Sequence, residues 1–235
     1  MANFPSFNAA YQNLLRRVLS EGSLIAPRNI PCRELTFVHW TLDDPRNDRL
    51  DFSKTGLPER QEIYDSYAER ELDWYVSGNL AASSAPSKFW AKLADSDGNI
   101  ISNYGHMMMF DKMYGKKSAY NHALETLRLD RDSRQCIMHY NLPRHYFHGN
   151  KDVPCTLTCQ LLIRAGKLSM WVTQRSCDSI KGLSFDVPWH CYLMRNLAKD
   201  MGVELGKFHH SIGSLHVYET DVEKARLIIS PRKTA

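Results

Sequence analysis

The sequence predicts an α/β fold, because a stretch with helical periodicity is followed by short apolar runs with the character of strands. Two such runs, Thr156–Arg164 and Lys167–Arg175, flank the tight turn Ala165-Gly166 and predict a β-hairpin. Near the start of the chain, apolar residues recur at helical spacing and predict an amphipathic helix. These residues are Phe4, Phe7, Tyr11, Leu14, Leu15 and Val18.

The other elements are predicted from periodicity and from turn residues. Gly202 is a helix stop signal, and Asp186 fits the N-cap of a helix that begins at Val187. The segment from Ser77 to Ser87 is rich in small residues and predicts a flexible link. The predicted helices are 60–76, a short one from residue 88, 116–128 and 187–201. The predicted strands are 35–40, 136–140 and a last one through 209–218. Residues 43–58 are expected to form a loop.

Length suits one large domain or two small ones, and 43% hydrophobic with 24% charged residues is typical of a soluble globular protein. We expect a single domain over residues 1–235. The chain has no run of about 18 apolar residues and no secretion signal, so we expect a cytoplasmic protein with no membrane span and with reduced thiols. The net charge of +4 is spread along the chain, which favours an anionic small substrate over a nucleic acid. No third ligand at suitable spacing joins His209, His210 and His216, so no metal is expected.

The predicted hairpin carries two chemically active groups at its open end. Cys155 follows Pro154 immediately before the first strand, and Arg175 ends the second strand. A thiolate is a nucleophile, and a guanidinium binds phosphate through two parallel hydrogen bonds. The pairing therefore indicates covalent chemistry on a phosphorylated small molecule.

The residues around this hairpin resemble the core of the thymidylate synthase family. Specific motifs carry the resemblance, which extends from about Glu69 to Asp221. Asp186 is a departure: thymidylate synthases carry Asn there, whereas the related cytidylate hydroxymethylases carry Asp. The matching motifs are Pro154-Cys155, Gln160, Gln174-Arg175-Ser176-Cys177-Asp178, Gly182 and Phe185-Asp186.

The resemblance implies roles for four residues in catalysis. Cys155 would add to C6 of a pyrimidine ring, and Asp186 would select the base. Glu71 matches a buried catalytic glutamate, although composition alone favours an exposed helical residue. Tyr104 matches a tyrosine at the mouth of the site, where it could relay a proton or simply pack.

The resemblance also implies a set of substrate contacts. Arg175 would hold the phosphate, and Arg134 would reach the phosphate bound by a partner subunit. A second arginine of that segment is replaced by Gln135, which removes one cation from the contact. An arginine before the first predicted strand would add a further phosphate contact, and the spacing favours Arg28 over Arg33. The other implied substrate residues are Gln174, Ser176, Asp178, His216 and Tyr218.

For the co-substrate, the resemblance implies 5,10-methylenetetrahydrofolate and no metal. It also implies a large twisted, mostly antiparallel sheet with helices on one face, and a homodimer formed through the other face. Single-residue statistics alone would place Trp90 in the core. The implied folate contacts are Trp90, Asp178, Gly182 and Phe185.

The side chain at position 186 distinguishes between functions. A protonated Asp186 offers one donor and one acceptor to N3 and the amino group of cytosine, whereas an ionised one would repel O4 of uracil. The leading hypothesis is 5-hydroxymethylation of CMP or dCMP with water. The alternatives are a methylating synthase that produces dihydrofolate and a catalytically silent protein that binds nucleotide or RNA. The sequence leaves the choice between ribose and deoxyribose open.

Overall fold

An eight-stranded sheet runs through the protein, whose computed structural model describes residues 2–232. Residues 1 and 233–235, the ends of the predicted domain, lie outside the described residues. The strands are β1 (Ala2–Phe4), β2 (Ser23–Ile25), β3 (Cys32–Leu42), β4 (Ile137–His139), β5 (Thr156–Arg164), β6 (Lys167–Gln174), β7 (Cys177–Asp178) and β8 (Glu204–Tyr218). The α-helices are α1 (Phe7–Glu21), α2 (Arg60–Ser77), α3 (Ala119–Leu129), α4 (Leu183–Met201) and α5 (Val222–Ile229).

Strand β8 joins the two halves of the sheet. The strand order is β1-β3-β8-β6-β5-β4, with β2 on β3 and β7 on β8. β8 pairs antiparallel with β3 and parallel with β6 and β7, and β1 is parallel to β3. The remaining pairs, β2–β3, β4–β5 and β5–β6, are antiparallel. The sheet is therefore mixed, although its longest ladder, between β3 and β8, is antiparallel as predicted.

The helices cover one face of the sheet, as predicted. Trp40 of β3 is buried there and lies 6.1 Å from the ring of Phe7 in α1 and 5.9 Å from the ring of Phe208 in β8. The opposite face leaves 47% of Trp171 in β6 exposed. Because side chains alternate along a strand, β3, β6 and β8 each contribute to both faces.

The hairpin and the long helix α2 lie where the sequence predicts them. β5 has the predicted bounds, β6 ends one residue earlier than predicted, and α2 ends one residue later. Ala165 and Gly166 form the turn in the left-handed region, with φ of 49° and 75°. The prediction for Phe4 is wrong, because this residue belongs to β1 and pairs with Leu42. Helix α1 begins only after Ser6, whose hydroxyl accepts from the Ala9 N–H at 3.2 Å.

Helix α4 begins four residues earlier than predicted, at Leu183 instead of Val187. Gly182 occupies the N-cap position, and the prediction of Asp186 as the N-cap is wrong. Asp186 lies in the first turn, where its N–H donates to the Gly182 carbonyl at 2.9 Å. The preceding turn is closed by Asp178, whose Oδ1 accepts from the N–H of Ile180 at 2.8 Å. This turn leads directly into the helix and directs Asp186 inward.

The other short elements lie close to their predicted positions. α3 begins at Ala119, where the Ser118 hydroxyl accepts from the Asn121 N–H at 3.2 Å, and Trp90 begins a single 3₁₀ turn. Across residues 2–232, no helix combines the length and the apolar character needed to cross a membrane. Within the same residues, no group of three or more His, Cys, Asp or Glu side chains is arranged to hold a metal ion.

Candidate active site

The thiol of Cys155 and the guanidinium of Arg175 meet at the open end of the hairpin. The Arg175 N–H donates to the Cys155 carbonyl at 2.9 Å, which continues the ladder beyond β5 and β6. The guanidinium donates from Nη2 to the Val153 carbonyl at 2.7 Å and from Nε to the Pro154 carbonyl at 3.1 Å. These bonds hold Nη2 at 3.7 Å from the Cys155 Sγ. The fold thus places a cation beside the thiol.

The electrostatic setting of Cys155 combines opposing influences. Burial raises the pKa of the thiol, and the nearby guanidinium of Arg175 is the largest influence that lowers it. Asp186 raises this pKa and Arg28 lowers it, so both side chains lie near the sulfur. The thiolate, which is the reactive form, is therefore sensitive to the charge state of Asp186.

The buried side-chain amide of Gln174 forms a hydrogen bond with the carboxyl group of Asp186. Gln174, the last residue of β6, donates from Nε2 to Asp186 Oδ2 at 2.8 Å and to the Thr156 hydroxyl at 3.1 Å. The Cys177 Sγ lies 3.9 Å from the same oxygen. Burial raises the pKa of Asp186 to about 6, and the hydrogen bond from Gln174 opposes this rise. Asp186 can therefore carry or release a proton near neutral pH.

Glu71 is buried and forms the end of a short hydrogen-bond chain. The Tyr67 hydroxyl donates to Glu71 Oε1 at 3.0 Å, and the Trp90 indole N–H donates to the Tyr67 oxygen at 3.1 Å. Burial, and secondly the nearby Asp186, raises the pKa of Glu71 to about 8. A carboxyl group with such a pKa can act as a general acid or base at physiological pH.

An aromatic wall lies beside these carboxyl groups. The ring of Phe185, in the first turn of α4, lies 4.5 Å from that of Tyr67 and is stacked at 5.5 Å on Tyr64. Trp90 lies 5.0 Å from Trp74. Phe185 and Glu71 line the same cavity. A flat, partly apolar ring system would fit against this wall, with polar groups directed at the carboxyl groups.

A second corner of the site is built from β7, β8 and the loop before β3. Asp178 pairs with His216 across β7 and β8, and the rings of His216 and Tyr218 lie 5.0 Å apart on one side of β8, as the alternation predicts. Burial raises the pKa of Tyr218, and the Arg28 guanidinium lowers it through its charge and a hydrogen bond. Arg28 therefore lies beside Tyr218 as well as near Cys155.

The environment of Arg33 differs from that of Arg28. The Arg33 Nε forms an ion pair with Glu219 at 2.9 Å, and Nη1 donates to the Leu19 carbonyl at 3.2 Å. Arg33 is thus engaged in contacts within the protein. Arg28 adopts φ of 54° and has an exposed side chain.

Tyr104 is packed close to Cys155. Its hydroxyl accepts from the Thr156 N–H at 3.0 Å, and its ring is stacked on Tyr75 at 5.8 Å. The adjacent Gly105 permits this packing, because a Cβ there would lie 1.8 Å from the Tyr75 carbonyl oxygen. Burial raises the pKa of Tyr104 well above its ordinary value. Tyr104 is therefore neutral and fixes the backbone beside Cys155.

The structure does not bring every predicted residue to this cluster. The side chain of Arg134 is exposed. The backbone carbonyl of this residue accepts from Gln160 Nε2 at 3.0 Å. Ser176 is half-buried between Arg175 and Cys177. Tyr67, in contrast, was missed by the sequence reasoning, although its position four residues before Glu71 on a helix is a usable signal.

Comparison with known proteins agrees with this geometry. A thymidylate synthase family model matches residues 9–235. The chain belongs to the thymidylate synthase family. It is therefore a folate-dependent enzyme that transfers a one-carbon unit to a pyrimidine monophosphate, and the family uses methylenetetrahydrofolate as co-substrate.

Three phage proteins are similar to this member of the thymidylate synthase family. They are the deoxycytidylate 5-hydroxymethyltransferases of Enterobacteria phages T4, T2 and T6. Each is 36% identical to this chain over 170 residues, which cover 66% of this chain and 68% of the relative.

Burial of Glu71 predicts a pH-dependent stability. Its pKa rises from 4.5 to about 8 on folding, so its contribution is most favourable below pH 4.5 and is lost as the pH rises towards 8. We expect Glu71→Gln to be about 3 kcal/mol more stable than the wild type at pH 7 and about equal to it at pH 4. Urea denaturation at a series of pH values measures this difference.

The matched control is Glu69→Gln, at an exposed position of the same helix. It should leave the free energy of unfolding close to that of the wild type at every pH. A Glu71→Gln gain that does not grow with pH would show that Glu71 ionises freely in the folded protein.

Proposed function

We propose that this enzyme converts CMP or dCMP to its 5-hydroxymethyl derivative, using 5,10-methylenetetrahydrofolate and water and releasing tetrahydrofolate. The observation that carries the proposal is the half-buried Asp186 carboxyl group, held by Gln174 close to both Cys155 and Glu71. The similarity to phage deoxycytidylate 5-hydroxymethyltransferases supports it.

Base selection rests on the two oxygens of Asp186. Oδ2 accepts from the Gln174 amide, so a proton on the neutral carboxyl group belongs on Oδ1. Oδ1–H then donates to N3 of cytosine, and the second lone pair of Oδ2 accepts from the cytosine amino group. Uracil presents N3–H and O4, which oppose this pattern, and a buried mismatch of this kind costs about 10²–10⁴ in selectivity.

Cys155 supplies the covalent step. Its thiolate adds to C6 of the base, and the electron pair released to C5 forms a bond to the one-carbon unit. C5 then loses its proton while tetrahydrofolate leaves with the electron pair of the bond between its nitrogen and the one-carbon unit, which leaves an exocyclic methylene group on the bound base. Water adds to this carbon, and the Cys155 thiolate leaves C6. The overall transfer involves no net oxidation or reduction, so no hydride is consumed.

The remaining groups bind and orient the reactants. Arg175 and Arg28, the cations near the Cys155 sulfur, hold the phosphate, and His216 and Tyr218 hold the sugar. Glu71, with its pKa of about 8, orders the attacking water and moves its proton.

The aromatic wall fits the folate. Phe185 and Trp90 offer faces for the pterin and benzoyl rings, and Asp178 and Gly182 lie in the turn that presents Phe185. When bound, 5,10-methylenetetrahydrofolate supplies an electrophilic one-carbon unit. The residues on this side of the site contribute stacking surface and the Glu71 carboxyl group, with no metal ion.

Tritium release from C5 tests the reaction directly. With methylenetetrahydrofolate present, labelled CMP or dCMP should release tritium and gain the mass of a CH₂O unit, without the absorbance rise of dihydrofolate. Labelled dUMP, assayed in parallel, should react far more slowly. Efficient production of dihydrofolate from dUMP would instead establish a methylating synthase.

Asp186→Asn should change the preferred base. When the Gln174 amide rotates so that its oxygen faces the new side-chain nitrogen, the asparagine offers an acceptor and a donor in the order that suits uracil, so the ratio of kcat/KM for dUMP to that for the cytidylate should rise roughly 10²–10⁴-fold. Asp200→Asn, at the other end of the same helix, is the control and should keep the wild-type ratio. An unchanged ratio in Asp186→Asn, also in a background in which the Gln174 amide is free to rotate, would remove this residue as the base reader.

We further propose a homodimer formed through the sheet face that lacks helices. On that face the Ser211 hydroxyl accepts from the Trp171 indole N–H and contacts the His39 Nδ1, each at 2.8 Å. Gln160 lies opposite Trp171 in the ladder and bonds the Arg134 carbonyl, so Arg134 lies next to this face. A second copy packed here would come within reach of the exposed Arg134 guanidinium.

Mixing inactive subunits tests the shared site. Arg134→Ala and Cys155→Ala should each be inactive alone. A random mixture should regain roughly a quarter of the wild-type activity, because about half of its dimers are mixed and each mixed dimer has one intact site. A mixture of Cys155→Ala with Arg175→Ala should show no rescue, since both residues serve the same chain's site. Absence of rescue in the first mixture would refute the partner role of Arg134.

A further inference from the structure

Two fully buried histidines lie behind the base-reading carboxyl group, and the mechanism above uses neither of them. His190 is on α4, one turn after Asp186, and His210 is on β8, beside Gln174. Their exposed fractions are 0% and 1%. Both rings are connected to Asp186, His190 through the backbone carbonyl and His210 through the Gln174 side chain.

The hydrogen bonds determine where the proton of His190 resides. Its Nδ1 lies 2.6 Å from the Asp186 carbonyl oxygen. A carbonyl oxygen can only accept, so Nδ1 carries the hydrogen and Nε2 has a bare lone pair. That Nε2 is buried and has no hydrogen-bond partner among the residues that the structure describes.

The same reasoning determines which ring nitrogen of His210 carries the hydrogen. The amide nitrogen of Gln174 donates to Asp186 and Thr156, so its Oε1 faces His210 Nε2 at 2.9 Å. Nε2 must therefore carry the hydrogen, and Nδ1 of His210 has the bare lone pair. This Nδ1 is also buried without a hydrogen-bond partner within residues 2–232.

Each of these two neutral imidazoles thus leaves one bare acceptor nitrogen, and neither ring has a free N–H to donate. Burial lowers the pKa of His190 to about 4 and that of His210 well below its ordinary value, and His190 lowers the latter further through its proximity. Two acceptors cannot bond each other, and leaving both unsatisfied would be costly. A water molecule has two hydrogens and can satisfy both.

We propose that a buried water bridges His190 Nε2 and His210 Nδ1, and that His210 is a positioning residue that sets the orientation of the Gln174 amide behind Asp186. The water holds His210 in the Nε2–H tautomer. In that tautomer Nε2–H donates to the Gln174 side-chain oxygen. This fixes the Gln174 amide in the orientation in which its nitrogen faces Asp186. The proposal rests on the proposed role of Asp186 as the reader of the base.

The consequence concerns selectivity. Without the donor on His210, the Gln174 amide can rotate and present its oxygen to Asp186 Oδ2. The proton of Asp186 then moves to Oδ2, and Oδ1 is left as an acceptor facing N3 of cytosine, which is also an acceptor. His210 therefore contributes to cytidylate recognition without contacting the nucleotide.

Two direct observations on the wild-type enzyme test the water and the tautomers. A high-resolution crystal structure should show an ordered oxygen within about 3.2 Å of both nitrogens. Long-range ¹H–¹⁵N correlation spectra should show the Nδ1–H tautomer for His190 and the Nε2–H tautomer for His210. A His210 ring protonated on Nδ1, or a missing bridging oxygen, would overturn the proposal.

Two substitutions test the positioning role. His210→Phe keeps a ring but removes the donor, and we expect the cytidylate-to-dUMP ratio of kcat/KM to fall about tenfold or more. His210→Gln places an amide N–H close to the former Nε2 and should restore the ratio to within about threefold of the wild type. Purely structural damage would lower activity with both nucleotides and would leave the ratio unchanged.

The outcomes separate this inference from the proposed function. If Asp186→Asn switches the base preference while His210→Phe keeps the wild-type ratio, the positioning role of His210 is refuted and the proposed function stands. If Asp186→Asn has no effect on base preference, even when His210→Phe frees the Gln174 amide to rotate, the proposed function itself fails. If His210→Phe does not fold, the tautomers and the bridging water in the wild type decide the question.

Discussion

The site depends on the hydrogen bonds that continue the β5–β6 hairpin past its last ladder pair. The Arg175 N–H on the Cys155 carbonyl fixes the two backbones, and the guanidinium closes the same end by donating to the carbonyls of Val153 and Pro154. One residue earlier, the Gln174 amide reaches across to Asp186 on α4. Cys155, the Arg175 guanidinium and Asp186 are thus oriented by two consecutive residues at the end of β6, Gln174 and Arg175.

The carboxyl groups of this site illustrate a conflict between stability and function. The buried Glu71 and the half-buried Asp186 lie near each other, and loss of contact with water raises both pKa values towards neutrality. Such groups destabilise the folded protein once they ionise, but a proton that is held at neutral pH is what acid–base chemistry and cytosine recognition require. The surrounding aromatic side chains exclude water and so raise both pKa values. The hydrogen bonds from Gln174 to Asp186 and from Tyr67 to Glu71 partly offset this rise.

Long periodic elements were predictable from the sequence, and elements set by distant contacts were not. The hairpin and α2 have strong local signals, and their bounds agree with the structure within one residue. Phe4 fits a helical pattern but joins β1, because pairing with Leu42 extends the sheet. The early start of α4 follows from the Asp178 turn, which the residue order does not reveal.

Within the site, the family motif indicated Cys155, Arg175 and Asp186. The hydrogen-bonding partners His190 and His210 depend on tertiary packing and carry no local signal.

The central position of β8 has a consequence for the order in which the protein can be assembled. β1, β2 and β3 form one patch of sheet, and β4, β5 and β6 form another, and within residues 2–232 only β8 joins them. β8 also carries His210, His216 and Tyr218. During synthesis the two patches therefore lack the strand that joins them until residues 204–218 have been made, and a sheet edge without its partner strand can pair with another chain.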